Sequence, residues 1–524
     1  MKDCSLMLTR FTNEPLLPLS APGVRETAEA ALDRAKAQLG RTYPLVIDGV
    51  SEVLNETISS INPSRPSEVV GRFSMATPAH ADQAIAAATV AFETWRLTSV
   101  QERARILLRV AGEMRRRKAD FDAIMMLEVG KTWAEAEADV SEAIDFVEYY
   151  ARQALRITDS SAQLAEFPGE QPSLRYIPLG VGAIIPPWNF PCAIPLGMTA
   201  AALVMGNTVV LKPAEQSMWI AYAFCELLWA QHLPPGVLNF LTGPGETVGA
   251  RLVEHPGTRF ISFTGSRAVG TQIYEIAARV QPGQRWLKRS ILEMGGKDAI
   301  VVDETADLEA AARGIVASAF GFQGQKCSAC SRAIIVDSVY EQVAERVVAL
   351  AGALTMGSPD SLDADLGPVI DADAFAKISE YIAIGRGEAT LLLGHTPTRA
   401  DQAGYFIAPT IFGDVSPKAR IAQEEIFGPV LALIRARDYQ TAIAIANDTE
   451  YGLTGAVYTA SSARLEYARE HFHVGNLYLN RKCTGAMVGV HPFGGFNMSG
   501  TDSKAGGPDY LLLYSQAKSI SERL

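Results

Sequence analysis

Between residues 174 and 292, short apolar runs rich in β-branched residues alternate with helical stretches of about ten residues. Val181–Ile185, Thr208–Leu211, Val237–Leu241, Phe260–Phe263 and Ser290–Leu292 read as strands. Gly197–Met205, Met218–Trp229, Thr247–Glu254 and Ala268–Ala278 read as the helices between them. Strands joined through helices lie parallel, with both faces of the sheet covered, so the pattern admits little besides a doubly wound α/β domain of dinucleotide-binding architecture. A second alternating set follows: Ile300–Val302, a helix from Leu308, Ala333–Val336 and a helix from Tyr340. It predicts a second α/β domain, with the boundary near Glu293. A chain of 524 residues exceeds what one core organises, which agrees with two or three domains.

Ahead of these sets, residues 1–45 hold one helical segment, Glu26–Gln38. Tyr43–Ile58 reads as short strands around an Asp48-Gly49 turn, and helices are expected over Ala81–Trp95, Gln101–Lys118 and Glu135–Arg156. In Gln101–Lys118, Ile106, Leu107, Val110 and Met114 oppose a basic face of Arg103, Arg109, Arg115, Arg116, Arg117 and Lys118. Acidic residues flank that face, so it reads as a solvated helix side rather than a nucleic-acid patch. The net charge of −11 points the same way, away from nucleic-acid and anionic-membrane partners. The uncharged run Tyr176–Leu211 has the length of a membrane span, but Pro178, Pro186, Pro187, Pro191 and Pro195 break any continuous helix. Six cysteines make no disulfide framework, and Met1–Leu19 has no leader pattern, so a reducing, cytoplasmic setting is expected.

The chemistry concentrates between Glu293 and Cys327. The first opens Glu-Met-Gly-Gly-Lys and the second closes Gln-Gly-Gln-Lys-Cys-Ser. Glycines beside each allow backbone to approach a reacting group closely. A thiol nucleophile paired with a carboxylate base is the set a covalent hydrolytic step needs. Read alone, Cys327 is as readily a small core residue. Thr264-Gly265-Ser266-Arg267-Ala268-Val269-Gly270 follows a strand and opens a helix, a setting for a pyrophosphate. Lys212-Pro213-Ala214-Glu215 sits at the C-terminal edge of its strand, where an acidic side chain can bind ribose hydroxyls and disfavours a 2′-phosphate, so NAD is expected over NADP. The stiff loop Pro186–Pro191 carries Asn189, whose amide suits an oxyanion. Val129-Gly130-Lys131-Thr132 lacks the first glycine of a P-loop, which would stand at Met125. Cys327-Ser328-Ala329-Cys330 has no second pair for zinc, His471 and His473 have no third ligand nearby, and no Gly-x-Ser-x-Gly is present, so neither a metal nor a serine nucleophile is expected.

These pieces together resemble the aldehyde dehydrogenase superfamily, from about residue 45 to the end. The motifs are PPWNFP at 186–191, KPAE at 212–215, FTGS at 263–266, LEMGGKD at 292–298, GQKCS at 324–328, EEIFGPV at 424–430 and PFGGFNMSG at 492–500. The resemblance implies a Rossmann-type NAD-binding domain (46–150 and 174–292), an α/β catalytic domain (293–488), a small β oligomerisation flap (151–173 and 489–524) and an N-terminal helical arm (1–45). It implies Cys327 as nucleophile, Glu293 as the base for thioester hydrolysis, and Asn189 with the Cys327 N–H as oxyanion hole. Ile185, Pro187, Trp188, Lys212, Glu215, Gly245, Gly265, Ser266, Gly270, Glu425 and Phe427 would hold NAD. Dimers exchanging a flap are implied near residues 150–175 with a terminal strand at Tyr510–Lys518.

Within the superfamily the chain is most similar to the Δ1-pyrroline-5-carboxylate dehydrogenase group. The residues that carry this are Phe11–Pro15, Ala143–Tyr150, Phe320–Ser328 and Asn480–Ala486. The implied reaction is oxidation of L-glutamate γ-semialdehyde to L-glutamate in proline degradation, with a separate proline dehydrogenase as possible substrate donor. Ser328, Gly485 and Ala486 would grip the α-carboxylate. Phe190 and Phe493 would flank the aliphatic chain, Lys326 would adjoin the substrate, and Glu142 would face its amine. The rival expectations are a dehydrogenase of another short semialdehyde, such as succinate semialdehyde, and a non-catalytic binding module of the same fold.

Overall fold

The structure is a computed structural model in which residues 8–159, 164–394 and 404–524 are described. Two seven-stranded sheets organise it. In space, the first runs Arg289–Glu293, Phe260–Thr264, Val181–Ile185, Thr208–Leu211, Leu238–Phe240, Leu45–Ile47 and Val50–Glu52. The first five strands are parallel, and the last two are an antiparallel hairpin closing the edge. That hairpin turns on Asp48 and Gly49, both left-handed (φ 53° and 73°), the geometry whose twist matches the flanking strands.

Val181–Ile185 lies at the centre because the chain builds outward from it twice. It first adds Thr208–Leu211 and Leu238–Phe240 on one side, then returns to add Phe260–Thr264 and Arg289–Glu293 on the other. The reversal leaves a crevice beyond the C-terminal ends of Val181–Ile185 and Phe260–Thr264, where open α/β sheets bind ligands.

The second sheet runs Thr390–Leu393, Thr410–Gly413, Val430–Ala436, Cys330–Val336, Asp298–Val302, Thr454–Tyr458 and Asn476–Leu479. All its pairs are parallel except the first. The expected strands Ile300–Val302 and Ala333–Val336 lie within two of these; no expectation from sequence covers the others, although the helices Tyr439–Asn447 and Ser462–His471 alternate with the last three in chain order. The chain crosses from one sheet to the other between Glu293 and Asp298.

Four sequence expectations change. The helix expected over Gln101–Lys118 is two, Val100–Arg116 and Lys118–Glu128, broken at Arg117, whose backbone leaves helical geometry (φ −113°, ψ 17°). Arg103 does not belong to the solvated basic face. It is 7% exposed and donates to the carbonyls of Val204 and Thr98, satisfying the end of the helix Ala193–Val204. The C-terminal strand is Ser515–Arg523, not Tyr510–Lys518. It pairs antiparallel with Glu170–Pro178, while Tyr510–Tyr514 forms a 3₁₀ turn buried against Tyr150, rings stacked at 5.4 Å. The segment 150–159 expected in the flap continues the long helix Trp133–Asp159, and 160–163 lie outside the described residues. Among the described residues, no helix is long and apolar enough to cross a membrane.

Candidate active site

A groove of about 640 Å³ fills the crevice at the reversal point. Ile185, Pro187 and Trp188 border it from the loop after the central strand, and Lys212 and Glu215 from the end of the next. Gly245, Gly265 and Ser266 border it from the two later βα turns, and Glu425 and Phe427 reach in from the second sheet. Lys212 is 3% exposed and its ammonium is held by Glu215 (2.8 Å) and the Pro213 carbonyl (3.1 Å). A Cβ on Gly245 would meet no atom within 4 Å, so the backbone there faces open groove. Ser266 caps the helix Arg267–Ala278 by accepting from the Val269 N–H. A paired Lys and Glu at one end, a glycine-lined backbone and a helix start fit an anionic dinucleotide. Gly270 does not border the groove. A Cβ there would fall 2.4 Å from the Met294 sulfur, so this glycine serves helix–strand packing.

Glu425 is fixed by the Gly296 N–H (3.1 Å), and a Cβ on Gly295 would lie 2.3 Å from its carboxylate. Gly295 therefore has to be glycine for Glu425 to sit where it does. Trp188 meets the Phe427 ring edge-on at 5.6 Å.

Cys327 follows a turn in which Phe322, Gln323 and Gly324 are all left-handed (φ 49°, 55° and 67°). This strained turn is packed hard against the second sheet: a Cβ on Gly324 would fall 2.3 Å from the Gly428 carbonyl. It sets Cys327 where the large groove meets a smaller cavity of about 120 Å³, and Cys327 lines both. Burial pushes its thiol pKa well up, and the carboxylates of Asp298, Glu293 and Glu425 add to the rise, against a weaker opposing effect of the Ser328 N–H. Glu293 ends the edge strand Arg289–Glu293 and lines the small cavity. Burial lifts it to about 8 although the Ser503 hydroxyl and the Gly495 N–H donate to it. Asn189 is 4% exposed and its amide donates to the Gln325 carbonyl at 3.0 Å, fixing the side chain beside the Cys327 loop.

Phe190, Ser328, Gly485, Ala486, Phe493 and Glu142 wall the small cavity together with Cys327 and Glu293. Gly485 is left-handed (φ 79°), and Arg481 fastens its loop by donating to the Thr484 and Gly485 carbonyls. Among the described residues, the Gly485 and Ala486 N–H groups form no hydrogen bond. Glu142 is raised to about 8, mainly by burial and then by the Asp139 charge. Lys326 does not reach this cavity. Its ammonium lies towards Gly321 and Glu135, and burial lowers its pKa. Cys330 is 1% exposed and its thiol donates to the Arg332 carbonyl (3.4 Å), so it belongs to the core of the second sheet. His471 stacks on Tyr467 at 4.0 Å between ring centres.

Sequence reasoning missed Phe146, Tyr150, Ile194, Gly197, Met198, Thr264, Ala505 and Tyr510, which complete the small cavity. Thr264, beside Gly265, was within reach of the motif; the others carry no local signal.

The match to known proteins agrees with this geometry. The chain belongs to the aldehyde dehydrogenase family, which it matches over residues 50–520. It is 57% identical over 516 residues to the 1-pyrroline-5-carboxylate dehydrogenase of Geobacillus thermodenitrificans, covering 98% of this chain and all of that protein. A solved 1-pyrroline-5-carboxylate dehydrogenase from Thermus with bound NAD superposes with a TM-score of 0.97 at 51% identity, over 99% of this chain and 100% of that one. Proline utilization A from Bdellovibrio bacteriovorus gives 0.96 at 46% identity, with 98% of this chain covering 53% of that longer one.

Proposed function

We propose that this chain oxidises L-glutamate γ-semialdehyde, the open form of Δ1-pyrroline-5-carboxylate, to L-glutamate with NAD. The observation that carries the reading is the placement of Cys327 at the junction of two spaces. One is a groove with dinucleotide features. The other is a small apolar cavity closed by Ser328 and two uncommitted backbone N–H groups, those of Gly485 and Ala486.

In this reading Lys212 and Glu215 hold the adenosine ribose, Ser266 the pyrophosphate, and Glu425 with Phe427 the nicotinamide end. Phe190 and Phe493 flank the substrate's methylenes, while Ser328 and the 485–486 backbone bind its α-carboxylate. The Cys327 thiol gives its proton to water as its sulfur adds to the aldehyde carbon, and the oxygen that becomes anionic is received by the Asn189 amide and the Cys327 N–H. When bound, NAD supplies the acceptor for the two electrons and the hydrogen that this carbon loses. A thioester on Cys327 remains. Glu293 takes a proton from water, the water attacks the thioester, and the Cys327 sulfur leaves as the carboxylic acid forms. An aldehyde must lose a hydride and gain an oxygen; Asn189 on the groove side of Cys327 serves the oxyanion, and Glu293 on the cavity side serves the water.

We also place the division into NAD-binding, catalytic and flap regions at the boundaries expected from sequence, with the two-stranded sheet of Glu170–Pro178 and Ser515–Arg523 as the surface that joins copies into a homo-oligomer. The setting is cytoplasmic, and a proline dehydrogenase is the substrate donor.

NADH formation with Δ1-pyrroline-5-carboxylate, succinate semialdehyde and propanal tests the reading. Preference for the first by kcat/KM is expected; equal or better rates with the others remove the substrate assignment while leaving the chemistry. Asn189→Ala should lower kcat about 10²–10³-fold by removing one oxyanion donor, while circular dichroism remains that of the parent. A kcat within a few-fold of wild type would take Asn189 out of the mechanism.

A further inference from the structure

We propose that Asn13, in the N-terminal arm, is a positioning residue that clamps the two walls of the small cavity in register. The proposal rests on the reading of that cavity as the site of a semialdehyde bearing an α-carboxylate.

The cavity is built from parts that meet only in space. One wall is the helix Trp133–Asp159, which contributes Glu142, Phe146 and Tyr150; the opposite wall is the loop carrying Gly485 and Ala486. Asn13 touches neither the cavity nor Cys327. Its one amide nitrogen donates to Asp145 on the helix (2.8 Å) and to the Val488 carbonyl just beyond the loop (2.9 Å). Two bonds from one planar group fix both the spacing and the direction of the elements it joins.

Neighbouring contacts make the clamp stiff. The Glu14 N–H donates to the other oxygen of Asp145 at 2.7 Å, so this carboxylate is fully engaged by the arm. The Phe11 ring packs edge-on against Tyr149 at 5.2 Å, next to Gly489. A Cβ on Gly489 would lie 2.9 Å from Tyr149 and 3.1 Å from Phe11, so the loop meets arm and helix without spare room. Further along, the Leu17 N–H donates to Glu137, the Pro15 carbonyl accepts from Lys118, and Glu14 pairs with Arg115 at 2.6 Å. The arm is thus bound to this helix and its neighbours at several points, and the bond from Asn13 to Val488 carries it across to the loop, beside the path that runs from Tyr150 through Gly506 to Gly489. The α-carboxylate needs the N–H groups of Gly485 and Ala486 held at fixed spacing from Cys327. Freeing Val488 loosens them while leaving Cys327, Glu293 and Asn189 in place.

The variants are Asn13→Ala, Asn13→Asp, and Asn13→Asp with Asp145→Asn. Thr12→Ala, an exposed neighbour, is the control. With Δ1-pyrroline-5-carboxylate, Asn13→Ala is expected to raise KM about tenfold with kcat unchanged, and to leave KM for propanal, which has no carboxylate, as in wild type. Asn13→Asp should do at least as much, since it also sets a carboxylate against Asp145. The double variant restores a donor between arm and helix but none to Val488, so it should recover thermal stability without recovering KM. Hydrogen exchange of the peptide spanning residues 484–491 should be several-fold faster in all three, and unchanged in Thr12→Ala. Equal losses with both aldehydes, a fall in kcat, or unchanged exchange in that peptide would overturn the proposal. If wild type itself does not prefer Δ1-pyrroline-5-carboxylate to propanal, the substrate reading fails, and the exchange result alone decides whether Asn13 holds the loop.

Discussion

Cys327→Ala should abolish NADH formation with every aldehyde while still binding NAD. Among the described cysteines no second thiol can replace it: Cys192, Cys225, Cys330 and Cys483 are all buried, and only Cys327 lines the two cavities. The groove residues that would hold NAD are untouched by the change, so titration of NAD by protein fluorescence should give an affinity near that of wild type. The electrostatics add a second expectation. Burial and three carboxylates hold the thiol pKa well above its usual value, so the resting nucleophile is protonated. Alkylation by iodoacetamide should therefore be slow at neutral pH and still rising with pH above the range of a free thiol. A fast, pH-independent labelling rate would mean that Cys327 is a thiolate at rest. Residual turnover in Cys327→Ala above about one part in 10⁴ would exclude it as the covalent nucleophile, since the remaining groups would then supply the catalysis.

How far the sequence could be read depends on how local each signal is. The first parallel sheet was legible because strand and helix periods alternate within one stretch, and Lys212, Glu215, Gly265 and Ser266 border the groove because each sits at a strand end. Gly270 was misread for the same reason: it has the spacing of a phosphate loop, but its neighbour Met294 comes from the next strand, and only the fold shows that packing decides it. Lys326 misled through adjacency. It precedes the nucleophile in sequence, yet the left-handed turn before it sends its side chain away from the cavity. Arg103 belonged to a basic stripe by periodicity, but one carbonyl it satisfies, that of Val204, lies a hundred residues away in another helix. The walls of the small cavity, from Glu142 to Tyr510, converge from seven separate stretches of chain, and no window of sequence contains them together. Their convergence is a tertiary fact. What sequence did carry was the glycine on either side of Glu293 and Cys327, and the structure gives the reason. A Cβ on Gly296 would strike the Cys327 carbonyl at 2.4 Å, and one on Gly324 would strike the Gly428 carbonyl at 2.3 Å.

Glu293→Gln should separate the two halves of the reaction. The first half needs Cys327, Asn189 and NAD; the second needs a base for water. Glu293 is lifted to about 8 by burial, so at pH 7 most of it is protonated and only a minority can accept a proton. Its base form grows as pH rises, so the hydrolytic step should accelerate with pH and level off above about 8. If hydrolysis limits turnover, kcat in wild type should follow that curve. The glutamine keeps the size; its amide oxygen can still accept from the Gly495 N–H while its NH2 donates to the Ser503 hydroxyl oxygen, so the cavity need not rearrange, but it cannot take a proton. Loss of a general base costs about 10²–10⁴ in rate. Mixing the variant with NAD and Δ1-pyrroline-5-carboxylate should therefore give a burst of one NADH per site, followed by slow steady turnover, and mass spectrometry should find the glutamyl group on Cys327. The slow phase should also lose the inflection near 8. A variant with no burst would mean that Glu293 is required for the attack of Cys327 itself, as the group that receives the thiol proton. A variant with normal steady turnover and an unchanged pH profile would remove Glu293 from the chemistry and leave the carboxylate of Glu142, the other buried acid in this cavity raised to about 8, as the remaining candidate base.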